Sequence, residues 1–114
     1  MNNQTIQFNY NWNNKLNCNS FSTVRIQNPN KYKVGEIYNI ILSNKNGKQN
    51  VNYGFAKIMA ITDFYLEKVT PAMAFLDTNY SQEQFINLVK TMYKNSQIDF
   101  TKKKMSFIVL QKTN

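Results

Sequence analysis

The sequence predicts an α+β fold, a small and mostly antiparallel β-barrel with helices packed against it. Strand-like runs outnumber helical ones, and one segment carries both a clear helical stripe and a helix start signal. The 114 residues hold no internal repeat and no low-complexity linker, so a single domain over residues 1–114 is expected.

The opening "MNNQTIQFNYNW" is polar and lacks the positive-then-apolar pattern of a secretory leader. "FSTVRIQ" (21–27) alternates, sending Val24 and Ile26 to one face and Thr23 and Arg25 to the other. A polar loop "NPNKYK" with a turn at Pro29 separates it from "EIYNIIL" (36–42), a strongly apolar strand. Asn46-Gly47 is the hairpin signal. The return strand runs from Val51 to about Thr62, with Val51, Tyr53, Phe55, Met59 and Ile61 on one parity and Lys57 interrupting that face. Gly54 suggests a bulge or bend.

"DFYLEKV" reads as a further strand, and Thr70-Pro71 starts a short helix by capping and N1 proline. Ser81 and Gln84 have capping-box spacing, and Phe85, Leu88, Val89, Met92 and Tyr93 form one apolar stripe. Lys90 and Lys94 suit the C-terminal end of that helix. "MSFIVLQ" (105–111) is almost continuously apolar and predicts a central strand. One shared core of Val24, Ile26, Ile40, Phe85, Leu88, Val89, Phe107 and Val109 is expected, with Met59 and Met92 also packing.

Composition narrows the chemistry. Hydrophobic residues at 42% and aromatics at 14% exclude a disordered chain, and no apolar run is long enough for a membrane span. A cytoplasmic protein is the expectation. The lone Cys18 excludes an intramolecular disulfide. Without histidine, neither a His/Cys metal site nor a Ser-His-Asp apparatus can be built from one chain. No metal and no cofactor are expected, and an enzyme would rely on lysine, threonine, serine, tyrosine and carboxylates. The net charge of +8 favours a polyanionic partner, nucleic acid first, with a solubility charge as the plain alternative. "TKKKM" (101–105) fits a solvated loop or a phosphate contact.

Arg25 is the sole arginine among fourteen basic residues. Its planar fork of donors suits phosphate or a base edge in a way lysine does not reproduce. Thr23 shares its face, and Lys31, Tyr32 and Lys33 follow on the next loop, two charges and an aromatic suited to backbone and base. The structural alternative pairs Arg25 with Asp77 or Glu36.

The order of elements, Arg25, "YKVGEIYNI", "NYSQEQFINLVKTMY" and "FIVLQK" together resemble the ASCH (activating signal cointegrator homology) family, a branch of the PUA-like fold, over roughly residues 8–112. The family motif is of G-x-K-x-x-E-x-R type; here Cys18, Ser20 and Thr23 stand at its glycine, lysine and glutamate positions. The resemblance implies a PUA-like barrel and an RNA- or nucleotide-binding module, with Ser20, Thr23, Arg25, Lys31, Tyr32, Lys33 and Tyr80 as ligand contacts. A small bacterial branch hydrolyses the acetyl amide of N4-acetylcytidine with a motif lysine, a threonine two residues before the arginine and a later carboxylate. For that activity Thr23 matches the threonine, Asp77 or Thr78 in "LDTNY" stands nearest the position of that carboxylate, a glutamate in the family, and Lys15 is the lysine that can fold over the site in place of Ser20. A ribonuclease and a protein-interaction module are the other readings.

Overall fold

The computed structural model describes residues 4–43 and 50–113. Five strands, β1 (Gln4–Phe8), β2 (Ser20–Ile26), β3 (Ile37–Leu42), β4 (Val51–Phe64) and β5 (Met105–Lys112), form one sheet in the order β1-β3-β4-β5-β2. Two α-helices, α1 (Pro71–Thr78) and α2 (Gln82–Met92), and two 3₁₀ segments, Trp12–Asn17 and Leu66–Lys68, complete the described elements. The sheet is mixed: β1 runs parallel to β3, and the other pairings are antiparallel. It curls into a half-barrel that does not close, with β1 and β2 as its two edges. The expected α+β fold with a small, mostly antiparallel curved sheet is present, as a half-barrel that stays open.

The curl has a local cause in β4. Asn39 pairs with Phe55 but Ile41 pairs with Asn52, so β4 carries an extra residue there. Gly54 sits in this bulge at φ +88°, a backbone conformation that favours glycine, and its N–H bonds Asn52 Oδ1 at 2.8 Å. A second register shift lies between Ile58 and Ala60. Two bulges on the longest strand bend the sheet. They also interrupt the expected face of β4. Between them Ala56 and Ile58 are buried, while Phe55, Lys57 and Met59 are exposed, as is Val51 at the strand's start; Tyr53 and Ile61, of the expected parity, do pack against the first core.

Two cores lie on opposite faces of the sheet, correcting the single shared core. Ile6, Phe8, Leu16, Phe21, Tyr38, Ile40, Ala56, Ile58, Ile108 and Leu110 fill one. Phe64, Leu66, Val69, Ala74, Phe85, Val89 and Met105 fill the other, with Val24, Ile26 and Phe107 packed against it. β5 is apolar on both faces because it serves both: Ile108 and Leu110 face one core, Met105 and Phe107 the other.

The helix starts follow their signals. Thr70 Oγ1 accepts from Met73 N at 3.1 Å. Ser81 and Gln84 form the reciprocal capping box at 3.2 and 3.0 Å. Of the α2 stripe only Phe85 and Val89 are buried; Leu88 is half-buried and Met92 is exposed. The strand expected over "DFYLEKV" is instead the end of β4 followed by the Leu66–Lys68 turn, whose Leu66 is fully buried. β1 was missed, although Ile6 and Phe8 are its buried alternate residues. The Asn46-Gly47 hairpin lies outside the described residues. No helix among them is long and apolar enough to cross a membrane.

Candidate functional site

Where the half-barrel stays open, its two edge strands face the same cavity. Thr23 and Arg25 project from one face of β2, as strand alternation requires. Arg25 Nε donates to Thr23 Oγ1 at 3.0 Å, and Nη2 donates to the Gln7 carbonyl of β1 at 2.8 Å. One side chain therefore laces the two edges together. Its guanidinium lies 4.8 Å from the centroid of the Phe8 ring, a cation–π distance. Phe8 also packs edge-on against Phe21 of β2, with centroids 6.1 Å apart.

The 3₁₀ segment Trp12–Asn17 supplies the next layer. Asn13 and Asn14 take left-handed backbone angles, φ 60° and 53°, which asparagine tolerates better than most residues. Buried Leu16 anchors the segment in the first core; its N–H donates to Asn11 Oδ1 at 2.9 Å, and its carbonyl accepts from Lys112 Nζ at 2.6 Å. This turn drives Lys15 inward.

Lys15 Nζ donates to Asp77 Oδ1 at 2.8 Å and to the Asp77 carbonyl at 3.2 Å. Ser22 Oγ donates to the same Oδ1 at 3.0 Å. Asp77 reaches this point from the last turn of α1, which ends at Asn79 in the left-handed conformation (φ 65°). Burial holds the Lys15 ammonium below its usual pKa; the Asp77 carboxylate opposes that shift, and the Arg25 charge adds to it. The Phe8 ring lies 5.5 Å from Lys15 Nζ, so one aromatic faces both cations.

These groups line a cavity of about 530 Å³. Thr23, Arg25, Lys15 and Asp77 are among its polar residues, with Gln7, Asn9 and Thr78, and Tyr10, Trp12, Phe8, Leu88, Met92 and Tyr93 are prominent in its walls. Ligand pockets of small molecules span roughly 300–1,000 Å³ and combine apolar walls with a few convergent polar groups. The cavity has that character, with two cations and one carboxylate at its polar end.

The candidate residues thus separate into three sets. Thr23, Arg25, Lys15 and Asp77 converge. Tyr80 is half-buried behind the wall, its ring edge-on to Trp12 at 5.4 Å. Ser20, Lys31, Tyr32 and Lys33 do not line the cavity. Ser20 is exposed at the start of β2 opposite Gln111. Tyr32 packs against the first core with Lys31 above its ring at 5.4 Å, and Lys33 is exposed. The carboxylate partner considered for Arg25 goes elsewhere: Asp77 holds Lys15, and Glu36 accepts from Gln4 and Tyr38.

Sequence reasoning missed Gln7, Phe8, Tyr10 and Trp12. The alternation Ile6–Phe8 and the sole tryptophan beside an asparagine doublet were the available signals. Among the described residues no group of three or more His, Cys, Asp or Glu is placed to hold a metal ion. Comparison of the chain with models of known families, with curated proteins and with solved structures finds no match.

Proposed function

We propose that the protein is an RNA- or nucleotide-binding module of ASCH, PUA-like type that takes one base or nucleotide into the cavity beside Arg25. The observation that carries this reading is the convergence of Arg25, Thr23, Lys15 and Asp77 on one aromatic-walled cavity. Arg25 is already oriented by Thr23 and Gln7, and its fork has further donors for a phosphate or base edge. Asp77 supplies an acceptor beside those donors, so the polar end can read both donors and acceptors of a base. The +8 charge favours arrival of an anion. Fluorescence anisotropy with a labelled single-stranded RNA tests this. Binding in the micromolar range or weaker, declining as salt rises, is expected. Arg25→Lys keeps the charge, loses the planar fork, and should weaken binding with the fold intact. Absence of binding at low salt would overturn the reading.

A second reading rests on Lys15. Ser20 stands where the resembled hydrolases carry a lysine, but Lys15 brings an amine to the cavity that holds Thr23. A threonine hydroxyl needs a base to become a useful nucleophile. In the resting arrangement Lys15 is engaged by Asp77, and Thr23 Oγ1 accepts from Arg25; neither contact deprotonates the threonine. Binding is therefore the leading reading. Acetate release from N4-acetylcytidine, lost in Thr23→Ala and in Lys15→Met, would establish the hydrolase instead.

A further inference from the structure

Tyr10 and Trp12 lie against each other with ring centroids 4.6 Å apart, and both line the cavity. Neither belongs to either core cluster. Tyr10 is 61% exposed, an unusual use of a large ring beside a cationic pocket. Tyr80, by contrast, packs on the second core and buttresses Trp12 edge-on. The Tyr10–Trp12 pair is therefore held in place from behind while its outer surface stays open.

The backbone points the same way. Two successive asparagines in the left-handed region carry a cost that persists only where surrounding contacts enforce it. Here the buried Leu16 side chain, Asn11 and Lys112 enforce it. The strained segment sets Lys15 at the polar end of the cavity and Trp12 in its wall. A single turn thus couples the polar pocket to an aromatic surface.

Resting on the proposal that the cavity takes a base, we infer that Tyr10 and Trp12 form a second subsite that stacks the neighbouring base, so that the preferred ligand is a single-stranded oligonucleotide of at least two residues. Base–aromatic stacking tolerates any base because each has a π-face. The inner groups read one base, and the outer rings grip its neighbour without selecting it.

The experiment compares uridine monophosphate, the dinucleotide pUpU and a dinucleotide whose second residue is abasic. Trp12 is the only tryptophan, so intrinsic fluorescence reports the subsite and calorimetry supplies the affinities. The expected result is quenching by pUpU with affinity about tenfold above the mononucleotide, within the range that stacking one base provides. The abasic dinucleotide should lose that advantage, which separates stacking from the added phosphate. In Trp12→Ala the ratio of the two affinities should fall towards unity, and Trp12→Phe should restore much of it. Tyr10→Ala, a change at an exposed position, gives the same test should Trp12→Ala fail to fold. If the mononucleotide binds and pUpU binds no tighter, the second subsite is overturned while the pocket reading stands. If neither binds, both are overturned.

Discussion

Lys15 meets Asp77 and Lys90 meets Glu67 at the same N···O distance, 2.8 Å, yet in opposite settings. The first pair is 7% and 8% exposed, at the polar end of the cavity; the second is 51% and 55% exposed, between α2 and the Leu66–Lys68 turn. Distance alone therefore says little about either. The surface pair sits in high dielectric, and exposed pairs of its kind contribute about 0–1 kcal/mol. The buried pair has given up hydration at both ends, and its attraction must offset that cost. Ser22 and the Asp77 carbonyl add hydrogen bonds that help to offset it. Buried charge in a cleft is a poor means of stabilising a fold and a common sign of a functional site.

Removing one partner should separate the two pairs most sharply. Asp77→Ala leaves the Lys15 ammonium buried without its carboxylate, and a loss of about 3–5 kcal/mol is expected by urea denaturation. A loss below about 1 kcal/mol would place the pair in the same class as the surface one. The double replacement Lys15→Met, Asp77→Leu should recover most of that stability, because apolar groups need no partner there. Its RNA affinity should remain low. Recovery of both stability and binding would mean the charges have no part in the ligand site.

The pH dependence sharpens the contrast. The folded-state pKa of Lys15 lies below its ordinary value of 10.5. Between those two values the unfolded chain binds more protons, so the Lys15 contribution to stability rises with pH across the window that ends at 10.5. Subtracting the stability curve of Lys15→Met from that of the wild type should leave this rising component. A flat or falling difference would contradict it. The smallest effect is expected at the surface: Glu67→Gln should change stability by about 0–1 kcal/mol, less as salt is added. Thermal melts at low and high salt would measure it.

Much of the local structure could be read directly from residues. Period-two alternation put Thr23 and Arg25 on one face of β2, and a capping box started α2 where Ser81 and Gln84 lie. The apolar run 105–111 identified a strand buried between two neighbours, because only such a strand needs hydrophobic groups on both faces. β4 was harder. Its odd-numbered residues look like a core face until the bulges at Gly54 and after Ile58 change the register, and alternation cannot show where an extra residue is inserted.

What the sequence by itself determined about this protein was which residue types were at hand: one arginine sharing a strand face with a threonine, a positive charge, and no histidine. Local pattern set those features, since they depend on neighbours along the chain. The site's assembly was decided by tertiary structure alone. Lys15 and Asp77 are 62 positions apart, and Arg25 reaches a carbonyl 18 positions away on the opposite edge strand. A lysine in a polar stretch reads as solvated, because burying its charge is unfavourable unless a partner waits inside. That partner arrives only when α1 ends against the 3₁₀ turn, and the cavity opens where the curled sheet leaves β1 and β2 unpaired with each other.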